Sequence, residues 1–310
     1  MNKLGNSPKS GTAGQILAFA AVSSLAIVAL ASFLIFSVFF SADSSAQATR
    51  QSVETHSGLP MTIVIARTAG GPSEWRTYAR AIKRMSDATD RPMRVRYVAD
   101  RAEVARLIRG REVDAGFLCT ACYLEIADED GISLVATPRI AGRVKDAAVL
   151  VVKGSSPYRS LKDLDGRRVG VATPSSLAGY KYLYWLAQRE GVDVARSLNV
   201  VRGESQEENV GALLAGDLDA VVVNRSQMAL RDQSDLRIAS ESPEYGMPPF
   251  VTGATVDTKT RNQMKQALLS MRPSMEQTRA VVEGFSEVEV SDYEFARQLS
   301  KPVSTYGNLR

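Results

Sequence analysis

Groups able to do chemistry concentrate at four places where a β-branched run gives way to a helical one. The first is Gly70-Gly71-Pro72-Ser73-Glu74-Trp75. The second is Cys119-Thr120-Ala121-Cys122-Tyr123. The third runs from Thr173 to Tyr180, and the fourth is Gly203-Glu204-Ser205-Gln206-Glu207. A helix start offers unpaired N–H groups and a partial positive charge, which together favour an anion. Ser176 places a hydroxyl beside the amides of Leu177, Ala178 and Gly179. The alternative is that Ser175 or Ser176 simply caps the helix. Trp75 and Tyr123 stand at turns and are candidates for a cleft wall. Tyr180, Leu183, Tyr184 and Trp185 share one helix and read as packing.

Cys119 and Cys122 form a C-x-x-C at the start of a short helix. Three readings stay open: a local disulfide, two buried thiols, and a reactive pair whose thiol pKa the helix dipole lowers. Other chemistries are excluded by count. His56 is the single histidine among 310 residues, so His-based triads and two-His metal sites are ruled out. Two cysteines cannot make a four-Cys zinc site, and no metal or cofactor is expected. Lys plus Arg is 38 and Asp plus Glu is 34; the signs are interspersed, so the net +4 is no nucleic-acid footprint. With 45% apolar and 23% charged residues, the composition is that of a globular protein.

The elements that position these turns alternate. Strands are expected at 61–67, 94–99, 114–118, 133–139, 146–154, 167–173, 197–203, 218–224, 236–242 and 249–256. Helices are expected at about 73–86, 101–110, 121–127, 177–191 and 206–216, with Gly110, Gly191 and Gly216 as stops. The end, from Thr258, reads as helical with caps at Ser274 and Ser291. Repeated strand–helix units imply an α/β class with parallel-rich sheets covered on both faces. The pattern restarts beyond Ser160, as in two lobes. The stretches 146–154 and 236–256 are the candidate crossings, giving lobe one as 61–150 plus 247–310 and lobe two as 151–246. Ligands of such sheets bind outside the carboxyl ends of the strands.

Residues 16–40, ILAFAAVSSLAIVALASFLIFSVFF, carry no charge and no proline. At about 1.5 Å per residue they can cross a hydrocarbon core of roughly 30 Å. Lys3 and Lys9 precede them, so residues 1–15 are expected in the cytoplasm and residues 41–310 outside, a single-pass cell-membrane arrangement. Ala46-Gln47-Ala48 also fits a cleavage site, so the run is an anchor or a signal. Residues 41–60 read as a linker, with His56 in it.

Four segments carry a resemblance: EVDAGFLCTACY, VVKGSSPYRSLKDLDGRRVGVATPSSLAGYKYL, AGDLDAVVVN and ESPEYGMPPF. In order and spacing, over about residues 61–275, the chain resembles the phosphate/phosphite/phosphonate ABC-transporter substrate-binding proteins. The resemblance implies a type II periplasmic-binding-protein fold, whose two lobes close on a small ligand. That ligand is handed to a membrane permease with its ATPase. It implies a ligand set of Trp75, Thr120, Tyr123, Ser175, Ser176, Leu177, Ala178, Gly179, Gln206 and Asn224. The family's hydroxyl-rich Ser-Thr-Ser turn matches here as Ser176-Leu177-Ala178, so two hydroxyls are missing. Its ligand-facing His falls at Gln206, and the acidic residue that receives an amine falls at about Ser226. Arg139, Arg143 and Arg225 are candidates to replace lost donors. The implied role is a solute-binding protein for a small anion. A ligand sensor for a signalling partner and a C-x-x-C thiol oxidoreductase are the competing readings.

Overall fold

Continuous apolar runs such as AVLVV and AVVV can be strands only where both faces are covered, and that is how they fold. The computed structural model describes residues 58–66, 72–229, 235–272 and 282–306. The expected anchor, most of the linker and Ser274 lie outside these. Among the described residues no helix is long and apolar enough to cross a membrane.

Strands β1 (Met61–Ala66), β2 (Met93–Val98), β3 (Ala115–Phe117) and β4 (Ser133–Ile140) build the first sheet, and later chain completes it. A two-residue strand β5 (Lys145–Asp146) leaves it. The second sheet takes β6 (Ala148–Lys153), β7 (Arg167–Val171), β8 (Leu198–Arg202), β9 (Ala220–Asn224) and β10 (Leu236–Glu241). The chain then returns through β11 (Tyr245–Gly246) to β12 (Phe250–Thr252) and β13 (Val282–Ser286) in the first sheet. The first sheet runs β2-β1-β3-β12-β4, with β13 added outside β4. The second runs β8-β7-β9-β6-β10. In each, a parallel trio is joined to an antiparallel return strand, and that strand is the chain that has just crossed over. The sheets are therefore mixed rather than parallel-rich.

Helices α1 (Pro72–Thr89) and α2 (Arg101–Arg109) follow β1 and β2, and the short α3 (Thr120–Leu124) follows β3. Helix α4 (Tyr182–Glu190) follows β7, α5 (Val194–Ser197) leads into β8, α6 (Gln206–Ala215) follows β8 and α7 (Arg225–Ala229) follows β9. Helix α8 (Thr258–Leu269) and α9 (Glu294–Ser300) complete the chain. Ile63, Phe117, Tyr78, Met85, Met264 and Phe250 fill the core of the first sheet under α1 and α8. Val104, Leu107 and Ile108 of α2 cover its other face. Leu150, Val169, Val222, Tyr182 and Leu183 form the core under α4, and Val210 and Leu213 of α6 cover the opposite face.

Four expectations are corrected. Ala148–Leu150, assigned to the first lobe, pairs in the second sheet against Val222–Asn224. Residues 282–286 form a strand against β4 rather than a helix. Val282 and Phe285 are buried, and Gly284 sits at a register shift that breaks the alternation a strand reading needs. Ser291 is not a cap; Asp292 accepts from the amide of Glu289, which starts that turn. The last helix also changes sides. Phe295, Ala296 and Leu299 of α9 belong to the second core, and Lys181 donates to Ser300 O at 2.8 Å. Arg297 meanwhile pairs with Asp128, from the loop after α3, at 2.7 Å.

Between the sheets, β5 and β11 pair with each other, Asp146 opposite Tyr245 and Lys145 opposite Gly246. Gly246 is required there. A Cβ at this position would lie 2.5–2.9 Å from three ring atoms of Tyr293. That ring packs 4.7 Å from Tyr123, and its hydroxyl donates to Met247 O at 2.8 Å. Gly246→Ala should cost about 1–3 kcal/mol in urea unfolding, the usual range for overpacking. Gly211→Ala, with nothing within 4 Å of the added carbon, should stabilise α6 by about 0.5–1 kcal/mol.

Candidate functional site

The third turn leaves β7 at Val171. Ala172 N donates to Gly179 O at 2.7 Å and Ser176 N to Thr173 O at 2.9 Å. Ser176 then caps the helix, its Oγ accepting from Gly179 N at 3.0 Å. A single wide turn, Leu177–Lys181, precedes α4. The amides of Leu177 and Ala178 have no acceptor among the described residues. Gly179 is tight against the protein: a Cβ there would meet Ser176 Oγ at 2.9 Å, Ala172 Cβ at 3.0 Å and Gln206 Cγ at 3.0 Å. Leu177 and Ala178 turn their side chains into the second core. The hydroxyls absent from these two positions are thus replaced by core packing.

Parallel pairing of β8, β7 and β9 brings their carboxyl ends side by side. Ser176, Gln206 and Asn224 meet there. Gln206, the first residue of α6, donates from Nε2 to Ser176 Oγ at 3.3 Å, while its Oε1 accepts from Asn224 N at 2.7 Å. Each end of its amide thus has one protein partner. Asn224 Oδ1 accepts from the hydroxyl of Tyr245 in β11 at 2.9 Å. Burial pushes that hydroxyl well above its ordinary pKa, so it remains a donor.

The other expected residues stand apart from this cluster. Ser175 is exposed and its Oγ lies 3.2 Å from Thr173 Oγ1. Thr120 donates to Gly246 O at 3.2 Å, fixing the second turn to the crossing strand. Tyr123 is 2% exposed and packs on Tyr293, so it is a core residue rather than a cleft wall. Trp75 lies in the first turn of α1. Arg139 donates to Ser286 Oγ, Arg143 pairs with Glu244 and Arg225 with Glu241, so each has a protein partner. Cys119 and Cys122 form a disulfide with Cα atoms 5.1 Å apart. Cys119 Sγ also accepts from Cys122 N at 3.1 Å, as the cap of α3. Ala121 and Leu124 of that helix pack against the second core.

Sequence reading missed two residues, Asp146 and Tyr245. Asp146 is 4% exposed. It accepts from Ala147 N at 2.9 Å and Ser226 N at 3.0 Å through Oδ1, and from Ser226 Oγ at 2.6 Å through Oδ2. Ser226 therefore holds a carboxylate of the protein itself. The available signal was a lone acid just before the apolar run AAVLVV.

Residues 72–293 match the family of ABC transporter, phosphonate, periplasmic substrate-binding proteins. The chain belongs to this family. Its role is that of a substrate-binding component of a transporter, and the phosphonate-binding family is periplasmic. A search of curated proteins returned no match. Three solved structures share the fold. PhnD1 from Prochlorococcus marinus, in complex with methylphosphonate, is 14% identical, with a TM-score of 0.60 over 77% of this chain and 96% of its own. A binding protein component of an ABC phosphonate transporter from Pseudomonas aeruginosa is 17% identical, with a TM-score of 0.59 over 77% and 85%. A Xanthomonas citri protein bound to ATP is 13% identical, with a TM-score of 0.60 over 80% and 98%.

Within this phosphonate-binding fold, Asp146 should leave a pH signature. Burial pushes its carboxyl up, with Ser226 and Ala147 opposing. The folded state then holds the proton more tightly than the unfolded chain. Stability from this group is therefore greatest below its unfolded pKa of about 3.9 and declines as pH rises through the raised folded value. Asp146→Asn should lose that slope. Urea unfolding at pH 4 and pH 7 should show the difference, variant minus wild type, rising with pH. Equal slopes would contradict the assignment.

Proposed function

We propose that the turn Ser176–Gly179, with Asn224 beside it, binds a small oxyanion of the phosphonate class between two lobes that close about the β5–β11 pair. The lobes are residues 61–144 with 247–286 and residues 148–241, and the bound ligand passes to a membrane permease and its ATPase. The observation that carries the reading is the pair of unclaimed amides, Leu177 and Ala178, one residue from the Ser176 hydroxyl at a helix start. The donor set there is neutral, since Arg139, Arg143 and Arg225 are paired elsewhere. An aminoalkyl group finds no free carboxylate at Ser226, because Asp146 already accepts from that hydroxyl. The favoured ligand is therefore an oxyanion with a plain or short apolar substituent. The protein binds and releases it unchanged.

Calorimetric titration with methylphosphonate, ethanesulfonate and inorganic phosphate tests this. At least one should bind, and Ser176→Ala should weaken it by about 0.5–1.5 kcal/mol, roughly two- to tenfold. Small-angle scattering should show compaction at saturation. No binding of any of the three at millimolar concentration would refute the reading.

We also propose that residues 16–40 hold the protein at the membrane, with residues 41–310 outside. Lys3 and Lys9 ahead of an uncharged 25-residue run support this. The full chain should stay in the pellet after alkaline carbonate extraction. A soluble mature chain beginning near Thr49 would show a cleaved signal instead.

A further inference from the structure

A continuous chain of hydrogen bonds joins the crossing strands to the candidate ligand turn. It begins at Tyr245, 3% exposed, in the β5–β11 pair. The Tyr245 hydroxyl donates to Asn224 Oδ1 at 2.9 Å, Asn224 N donates to Gln206 Oε1 at 2.7 Å, and Gln206 Nε2 donates to Ser176 Oγ at 3.3 Å. Gly179 N ends it, donating to the same Ser176 oxygen at 3.0 Å. Each link lies between a different pair of elements: β11 to the end of β9, β9 to α6, and α6 to the turn before α4. Beside it, Ser226 at the start of α7 is locked to Asp146 of β5. Both crossing strands are thereby tied to the carboxyl end of β9.

We propose that Tyr245 is a positioning residue that sets the Ser176–Gly179 turn from the hinge, acting through Asn224 and Gln206. When the crossing strands change their twist on closure, the Tyr245 hydroxyl moves relative to Asn224, and the shift reaches the Ser176 oxygen through the Gln206 amide. By linkage, a ligand that orders the turn favours the hinge geometry in which the chain of bonds is complete. Gln206 then transmits position, with one Nε2 hydrogen on Ser176 Oγ and its Oε1 accepting from Asn224 N. This rests on the reading of the Ser176 turn as the ligand site.

Amide hydrogen exchange on the unliganded full chain tests the coupling without any ligand. Tyr245→Phe removes the first link and Gln206→Met the middle two. Both should speed exchange at the Gly179 and Lys181 amides about tenfold. Asn224→Asp keeps the acceptor for Tyr245 and should leave these amides near wild type. Tyr182→Phe is the control: it removes a buried hydroxyl from the same core, bonded to Ser240 Oγ at 3.2 Å outside this chain. It should not change exchange at the turn. Should Tyr245→Phe fail to fold, Asn224→Ala cuts the same link from its half-buried end. Unchanged exchange at the turn in the link-breaking variants, or an equal change in Tyr182→Phe, would overturn the proposal. With methylphosphonate, Tyr245→Phe should bind three- to tenfold more weakly than wild type. If wild type itself does not bind, the ligand assignment fails while the exchange result still decides the coupling.

Discussion

Two extended segments run side by side between the sheets, and every polar group they bury must find its partner there. β5 and β11 satisfy each other's backbone. Their side chains reach outward: Asp146 to Ser226, Tyr245 to Asn224, and Lys145 to Asp292 at 2.6 Å. The exposed Lys145 pair contributes little by itself. The buried bonds matter more, because losing either partner strands a polar group without water. The second lobe's strand ends and the C-terminal segment are consequently tied to the same four residues. The crossing is therefore held by several side-chain bonds at once.

The repeat of strand order follows from the same crossings. In each sheet the strand entering from the crossing pairs antiparallel beside the parallel trio. The alternation of β-branched runs and amphipathic helices made the parallel trios legible from residue types alone. It could not reveal which sheet each return strand joins, because AVLVVK and FVT look like any buried strand. The reading of α9 with the first lobe failed for a related reason. Phe295, Ala296 and Leu299 show an apolar stripe, and a stripe does not say which core it meets.

The site was legible to a similar depth. Ser176, Gly179, Gln206 and Asn224 were marked by their places at strand ends, and parallel pairing brings them together. Tyr123 was marked by the same rule and is instead a core residue. The difference is local: α3 is only five residues long, and its disulfide and the bond from Thr120 to Gly246 turn Tyr123 inward onto Tyr293. Asp146 showed in the sequence only as a lone acid before an apolar run, and its pairing with Tyr245 spans 99 positions.

The departures from the phosphonate-binding pattern also form one set rather than several accidents. Leu177 and Ala178 face the core that α9 helps to close. A hydroxyl at either position would be buried in that apolar core, at a desolvation cost of about 1–3 kcal/mol. Gln206 has two protein partners, and Ser226 bonds to Asp146. The Gln206 bonds link the turn to the end of β9, and the Ser226 bonds link α7 to β5. A turn of this kind offers backbone amides and a neutral hydroxyl, groups that favour negative oxygen without distinguishing sharply what bears it.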